Sequence, residues 1–285
     1  MPLFETPGSV SLQIKLPSGR VVVTTADEPR TSVELIPIGR RGPEAISDIT
    51  VDAHEHAGRH VIRIEQKDRI RWGPIQITWG GDVETRITCP PGSNLELSGG
   101  STDLRVEGDL GEVSVSTASG DARLETVRGK LQIKTASGDI SVATIVSEAS
   151  LATVSGDLSV GRADGTLVAR AVSGDVTIGS LHGSLGLSTT SGDIDVRSVG
   201  AGEVRVQTVS GDVRIGVARG TRVWIDAGTI SGDLDSELGL DDTEPSGDDE
   251  DNAGPVVPLH VKTVSGDVSI VRASEAYSIG ASAQP

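Results

Sequence analysis

Aromatic rings are the scarcest ingredient of this chain: Phe, Trp and Tyr together make up 2% of its 285 residues. Ordinary globular cores draw much of their buried area from rings, so that kind of core is excluded. So is an aromatic stacking platform for single-stranded nucleic acid. Cysteine is reduced to Cys89, so no internal disulfide can form and nothing marks folding in an oxidising compartment. No apolar run reaches the ~18 residues of a spanning helix. The start, Met1-Pro2-Leu3-Phe4-Glu5, has neither a basic n-region nor an apolar h-region. The chain therefore reads as soluble and cytoplasmic. Positive charge is also short. Lys and Arg number 25 against 41 Asp and Glu, a formal charge of −16. That sign repels phosphate backbones and anionic lipid, so nucleic acid and membrane insertion are not expected.

What the chain has in excess is repetition. Ser-Gly-Asp recurs at Ser119, Ser137, Ser155, Ser173, Ser191, Ser210, Ser231 and Ser265, with successive spacings of 18, 18, 18, 18, 19, 21 and 34 residues. A clean unit is Leu131-Gln-Ile-Lys-Thr-Ala-Ser-Gly-Asp139, followed by Ile140-Ser-Val142. Counting from each Asp, aliphatic residues fall at +1, +3 and +6, as in Val176/Ile178/Leu181 and Ile194/Val196/Val199. Within a run the period is 2, the signature of a strand; between units it is 18. Strand, turn, strand, turn at fixed period predicts an all-β, single-stranded parallel β-solenoid in which each unit is one coil. Five small aliphatics per coil contribute roughly 8–10 kcal/mol gross when buried, less than the ~1–2 kcal/mol per residue needed to order 18 backbones. A lone coil fails, and only stacking supplies the rest.

Residues 1–95 alternate without the 18-residue period, as in Val10-Ser-Leu-Gln-Ile-Lys-Leu16 and His60-Val-Ile-Arg-Ile-Glu65. They read as a small N-terminal β-domain that caps the solenoid of residues 96–273. Residues 274–285 read as a flexible tail. Ten acidic and no basic side chains lie between Asp233 and Asp251, and residues 235–256 read as an acidic loop inserted within one coil, which would explain the 34-residue spacing.

These residues carry a resemblance. Repeated Thr-x-Ser-Gly-Asp-φ-x-φ units, behind a β region ending in Ile87-Thr-Cys-Pro-Pro-Gly-Ser93, resemble a bacterial β-strand-repeat family of unknown function, common in actinobacteria, whose members are described as presumed adhesins. The resemblance implies a surface-binding or adhesive role. Bactofilins, cytoskeletal polymers on a short β-helix, offer a looser analogy in architecture alone.

Several columns of like residues are candidate sites. Stacked carboxylates at Asp121, Asp139, Asp157, Asp175, Asp193 and Asp212, continued by Asp233 and Asp267, could form a ladder for Ca²⁺. The preferred reading is a turn, with Gly supplying positive φ and Asp accepting backbone N–H groups. A Thr column (Thr117, Thr135, Thr153, Thr189, Thr208, Thr229, Thr263, broken by Ala171) could bind ice or another ordered surface; a hydroxyl ladder is the commoner use. His54, His56 and His60 could hold a transition metal or form a polar strand edge. Trp72 and Trp79 read as the core of the N-terminal domain rather than a binding patch, and Trp224 as a cover for the 21-residue coil. The acidic residues Asp241, Asp242, Asp248, Asp249, Glu250 and Asp251 could recruit a basic partner or solvate a loop. Cys89 has no catalytic motif around it, and His182 and His260 occur singly. Phosphate-loop, nucleophile-elbow and zinc-helix motifs are missing. The expectation is a non-catalytic scaffold without cofactor or small-molecule substrate, which binds a protein or itself. An adhesin or carbohydrate-binding module and a Ca²⁺-dependent rod are the alternatives.

Overall fold

The computed structural model describes residues 2–39, 42–56, 58–66, 82–238 and 256–274, and the chain divides into two compact units, residues 1–142 and 143–285. The solenoid is present in both.

In the first unit the elements are β1 (Leu3–Glu5), β2 (Ser11–Thr25), β3 (Arg30–Ile38), α1 (Gly42–Ser47), β4 (Ile49–His56), β5 (Arg59–Gln66), β6 (Asp82–Cys89), β7 (Ser93–Ser116), β8 (Ala122–Val127) and β9 (Leu131–Lys134). The first half of β7 stacks in parallel on β2, from Ser11 opposite Asn94 to Thr24 opposite Glu107. On its other side β2 pairs in parallel with β5 and β6. The N-terminal strands thus build coils of their own, with the chain's first long strand second in the stack and the later β5/β6 coil outside it. Their alternation places Leu12, Leu95 and Ile62 in one buried column and Val23, Val106 and Ile87 in another. Capping is done by antiparallel strands. β4 pairs along β5, β3 along β6, and β1 along the start of β3, so both strands of the outer coil are paired on both sides. β7 carries β8 and β9 in parallel and begins the Ser-Gly-Asp coils.

β10 (Ile140–Ile145) leads into the second unit. There follow β11 (Ala149–Ala152), β12 (Leu158–Ala163), β13 (Leu167–Arg170), β14 (Val176–Leu181), β15 (Leu185–Ser188), β16 (Ile194–Val199), β17 (Val204–Gln207) and β18 (Val213–Val217). Odd-numbered strands stack on odd and even on even, all parallel, at an offset of 18 residues up to β16 and of 19 for β15 on β17 and the start of β16 on β18, where the register shifts between Val196 and Val199. The +1 and +3 aliphatics form buried columns such as Val176–Ile194–Val213 and Ile178–Val196–Ile215. The triads Ile140/Val142/Ile145, Val176/Ile178/Leu181 and Ile194/Val196/Val199 are all buried.

The last two coils depart from sequence order. β19 (Arg222–Ser231) and β20 (Leu234–Ser236) precede β21 (Val256–Ser265) and β22 (Val268–Arg272) in the chain. Yet β21 lies between β17 and β19, and β22 between β18 and β20. The later coil fills a layer that the earlier one skipped. The 34-residue spacing therefore spans two coils in exchanged order; residues 239–255, which hold most of the acidic stretch, lie outside the described residues.

Candidate interaction surface

The Thr-x-Ser-Gly-Asp corner at the end of each odd strand sorts five residues into different environments. Thr, in phase with the buried aliphatics, turns inward: Thr117, Thr135, Thr153, Thr189, Thr208 and Thr263 are all buried. Thr189, Thr208 and Thr263 donate Oγ1–H to the carbonyl two residues on, at 3.2–3.3 Å. This corrects the ordered-surface reading of the Thr column, since alternation places these hydroxyls inside the corner. Ser follows as a parallel bridge from coil to coil, Ser173 to Ser191 to Ser210 to Ser265. Gly is required by contact as well as conformation: at Gly192 φ is +125° and a Cβ would sit 2.2 Å from the carbonyl oxygen of Gly174.

Asp closes the corner. Asp175 N–H donates to Asp157 Oδ1, Asp193 to Asp175, Asp212 to Asp193, Asp267 to Asp212 and Asp233 to Asp267, at 2.8–2.9 Å. In the first unit Asp121 donates to Asp103 and Asp139 to Asp121, at 3.1–3.2 Å. The carboxylates of Asp103, Asp121, Asp157, Asp175, Asp193, Asp212 and Asp267 thus each accept the N–H of the Asp in the adjacent coil. The order Asp212–Asp267–Asp233 traces the exchanged coils. This geometry gives the Asp repeat a structural purpose, and no group of three or more His, Cys, Asp or Glu suited to a metal ion occurs among the described residues.

The fifth position, between Thr and Ser, faces solvent. In the second unit it is Val154, Val172, Thr190, Val209, Val264 and Ile230 in spatial order. The valines are 44–49% exposed and Ile230 82%. One strand spacing, about 4.8 Å, separates successive members. Where single exposed aliphatics are normal, five in one column, interrupted once by the exposed Thr190, form an apolar stripe of the kind that marks interaction sites. Beside its last three members an open groove of about 540 Å³ is lined by Gln207, Val209, Asp226, Ile230, Lys262 and Val264. Sequence reasoning passed over this column because its members vary between Ala, Val, Ile and Thr. The signal was the recurrence of Val outside the buried phase of the alternation.

The remaining candidates do not converge. His54 stands opposite Val61 and His60 opposite Glu55 across β4 and β5, so strand alternation directs His54 and His60 to opposite faces. The His56 side chain, Trp72, Trp79 and the acidic residues Asp241, Asp242, Asp248, Asp249, Glu250 and Asp251 lie outside the described residues. Trp224 sits on β19 with its ring edge-on to His260, centroids 5.2 Å apart, and His260 Nδ1 is 3.2 Å from Asp226 Oδ2. Cys89 is fully buried, and burial pushes its thiol up to about 11, partly offset by a hydrogen bond with Ser93. That is the opposite of an activated nucleophile.

Fold and surface together define a β-solenoid repeat domain that presents columns of like side chains. The chain belongs to the Toastrack DUF4097 family, whose model matches residues 7–171 and 166–271. Among solved structures it is similar to a presumed adhesin of Bacteroides fragilis, 14% identical over 94% of this chain and 95% of that one, with a TM-score of 0.50. A presumed adhesin of Parabacteroides distasonis is 12% identical over 94% and 95% of the two chains, with a TM-score of 0.42. The first likeness concerns the fold. No curated protein matches the chain.

Proposed function

We propose that this protein is a non-catalytic interaction module whose solvent-facing aliphatic column binds a protein or surface partner. The observation that carries the reading is the column itself: five exposed aliphatics in register, set on a rigid ladder. Half-burying a Val contributes roughly 0.7–1.5 kcal/mol, so the five aliphatics yield about 3.5–7.5 kcal/mol gross before the cost of association. One copy then binds weakly, and firm attachment needs many copies acting together. That is the economy of an adhesin, the name given to the B. fragilis structure. The acidic charge disfavours nucleic acid and bare anionic lipid as the target. Among the described residues no helix is long and apolar enough to cross a membrane, and fractionation of expressing cells decides between a surface and a cytoplasmic setting.

The test is retention on alkyl-terminated against hydroxyl-terminated monolayers, for the wild type and a Val172→Ser/Val209→Ser/Val264→Ser variant. Loss of three contacts predicts at least a ~10-fold fall in retention on alkyl. Because these side chains are exposed, the fold should be unaffected. Equal retention of both proteins refutes the assignment.

A further inference from the structure

We propose that the terminal coil β19/β20 is an interface for a second copy of this chain, which pairs edge to edge about a two-fold axis into a closed dimer. The inference rests on the reading of the chain as an interaction module but uses a different surface. In the preceding coils, inward-facing residues donate their N–H to the next layer: Thr208 to the Lys262 carbonyl, Val213 to Asp267 and Val268 to Asp233, all at 2.9 Å. The inward residues of β19 are Val223, Ile225, Ala227 and Thr229, in register with the buried Val257, Leu259, Val261 and Thr263. Among the described residues β19 pairs with β21 alone and β20 with β22 alone. The N–H and C=O groups of those four residues therefore face away from the coil stack. The core opens there too. Leu234 is 43% exposed, whereas Val268, the next layer of its column, is 1%. The Asp ladder also ends here: Asp233 donates to Asp267 as the last step of the series among the described residues.

Long apolar edges are usually blunted by Lys, Pro or a covering strand. β19 has neither Lys nor Pro. The partner must be able to continue the ladder. In the first unit the coil strands β5 and β6 are already paired on both sides, so among the described residues the edges there belong to the antiparallel strands β4 and β3 rather than to a coil. The β19 edge is complementary to itself. Antiparallel pairing that keeps inward residues opposite inward residues must centre on one residue. Centring on Ala227 sets Trp224 against Ile230, Ile225 against Thr229 and Asp226 against Gly228, joining nine residues of each strand. Centring on Asp226 would oppose two carboxylates.

Size-exclusion chromatography with light scattering on the full chain at micromolar concentration tests the proposal. The wild type should have twice the 29.4 kDa chain mass. Ala227→Pro removes an edge donor while sparing the ladder to β21, and Leu234→Lys places a charge in the opening. Both should be monomeric with unchanged circular dichroism. A wild-type monomer, a dimer that survives both changes, or open-ended polymers would each overturn the proposal. So would a monomer that dimerises only after removal of residues 275–285, which would assign the edge to the chain's own tail. Retention on alkyl monolayers, measured on Ala227→Pro, separates the two readings: retention without dimerisation overturns only the interface.

Discussion

Replacing Asp193 separately by Asn and by Ala distinguishes a backbone-binding carboxylate ladder from a cation ladder. Asp193 Oδ1 accepts the Asp212 N–H at 2.9 Å, while its own N–H donates to Asp175 Oδ1 at 2.9 Å. Asn keeps an acceptor oxygen and drops the charge; Ala drops both. Neighbouring carboxylates are one coil apart, about 4.8 Å, and at the dielectric of water each pair repels by about 0.9 kcal/mol before screening. Both substitutions relieve the same repulsion, so their difference isolates the hydrogen bond, worth about 1–2 kcal/mol. The Asn variant should lie within ~1 kcal/mol of wild type and the Ala variant about 1–2 kcal/mol below Asn. Urea unfolding measures this as midpoint shifts at constant slope. Added salt should stabilise the wild type more than the Asn variant, and a chelator should change neither. If cations bridged the column, Asn would be nearly as damaging as Ala and chelation would lower the wild-type midpoint. Either result refutes the ladder account.

Gly192→Ala should cost at least about 2 kcal/mol, because φ is +125° and the new Cβ would meet the Gly174 carbonyl at 2.2 Å; Gly186→Ala, with nothing within 4 Å, is the near-neutral control. Equal unfolding midpoints for the two would show that the corner can relax. Cys89 makes stability fall in alkali. Burial raises its folded-state pKa to about 11 from an ordinary 9.0, so above pH 9 the unfolded chain releases a proton that the folded chain keeps. About 2–3 kcal/mol should be lost between pH 9 and 11. Denaturant titrations across that window should show the loss, and Cys89→Ala should flatten it; an unchanged slope in the variant would assign the alkaline loss to other groups.

The coil was legible in the sequence because each repeated position answers to one local demand. The +1 and +3 aliphatics fill a narrow interior, Gly avoids a carbonyl one layer back, and Asp receives an N–H one layer on. The order of coils was not legible, and the reason is the same uniformity. Leu259 and Val261 fit the column of Val204 and Val206 no better by type than Ile225 and Ala227 would, so nothing local says which coil is outermost. The exchange shows only in pairing. At the other end, β2, β5 and β6 carry the alternation of coils without Ser-Gly-Asp corners, so their periodicity suggested a separate small domain. Their parallel stacking on one another and on β7 depends on contacts across tens of residues. The exposed column was written in the sequence as Val154, Val172, Val209 and Val264 and was overshadowed by the invariant letters beside it.

Repetition also limits what such a surface can do. Here translation by one coil carries the Asp of each corner onto another Asp, while on the flanking strands unlike groups pair, as Arg162 with Asp164 at 2.8 Å, His182 Nδ1 with the same carboxylate at 3.6 Å and Arg197 with Asp195 at 3.1 Å. In the terminal coils unlike groups also meet. His260 lies between Asp226 and Glu203, with Nδ1 3.2 Å from the first and Nε2 3.8 Å from the second, and Trp224 stands against its ring. These residues come from β19, β21 and the segment just before β17, so the cluster ties three layers together at the point where their order is exchanged. Its geometry joins coils rather than enclosing a substrate. A surface made by translation is suited to recognising something that also repeats, or to meeting many partners weakly at once, and the aliphatic column is the part of this surface that water would most readily give up.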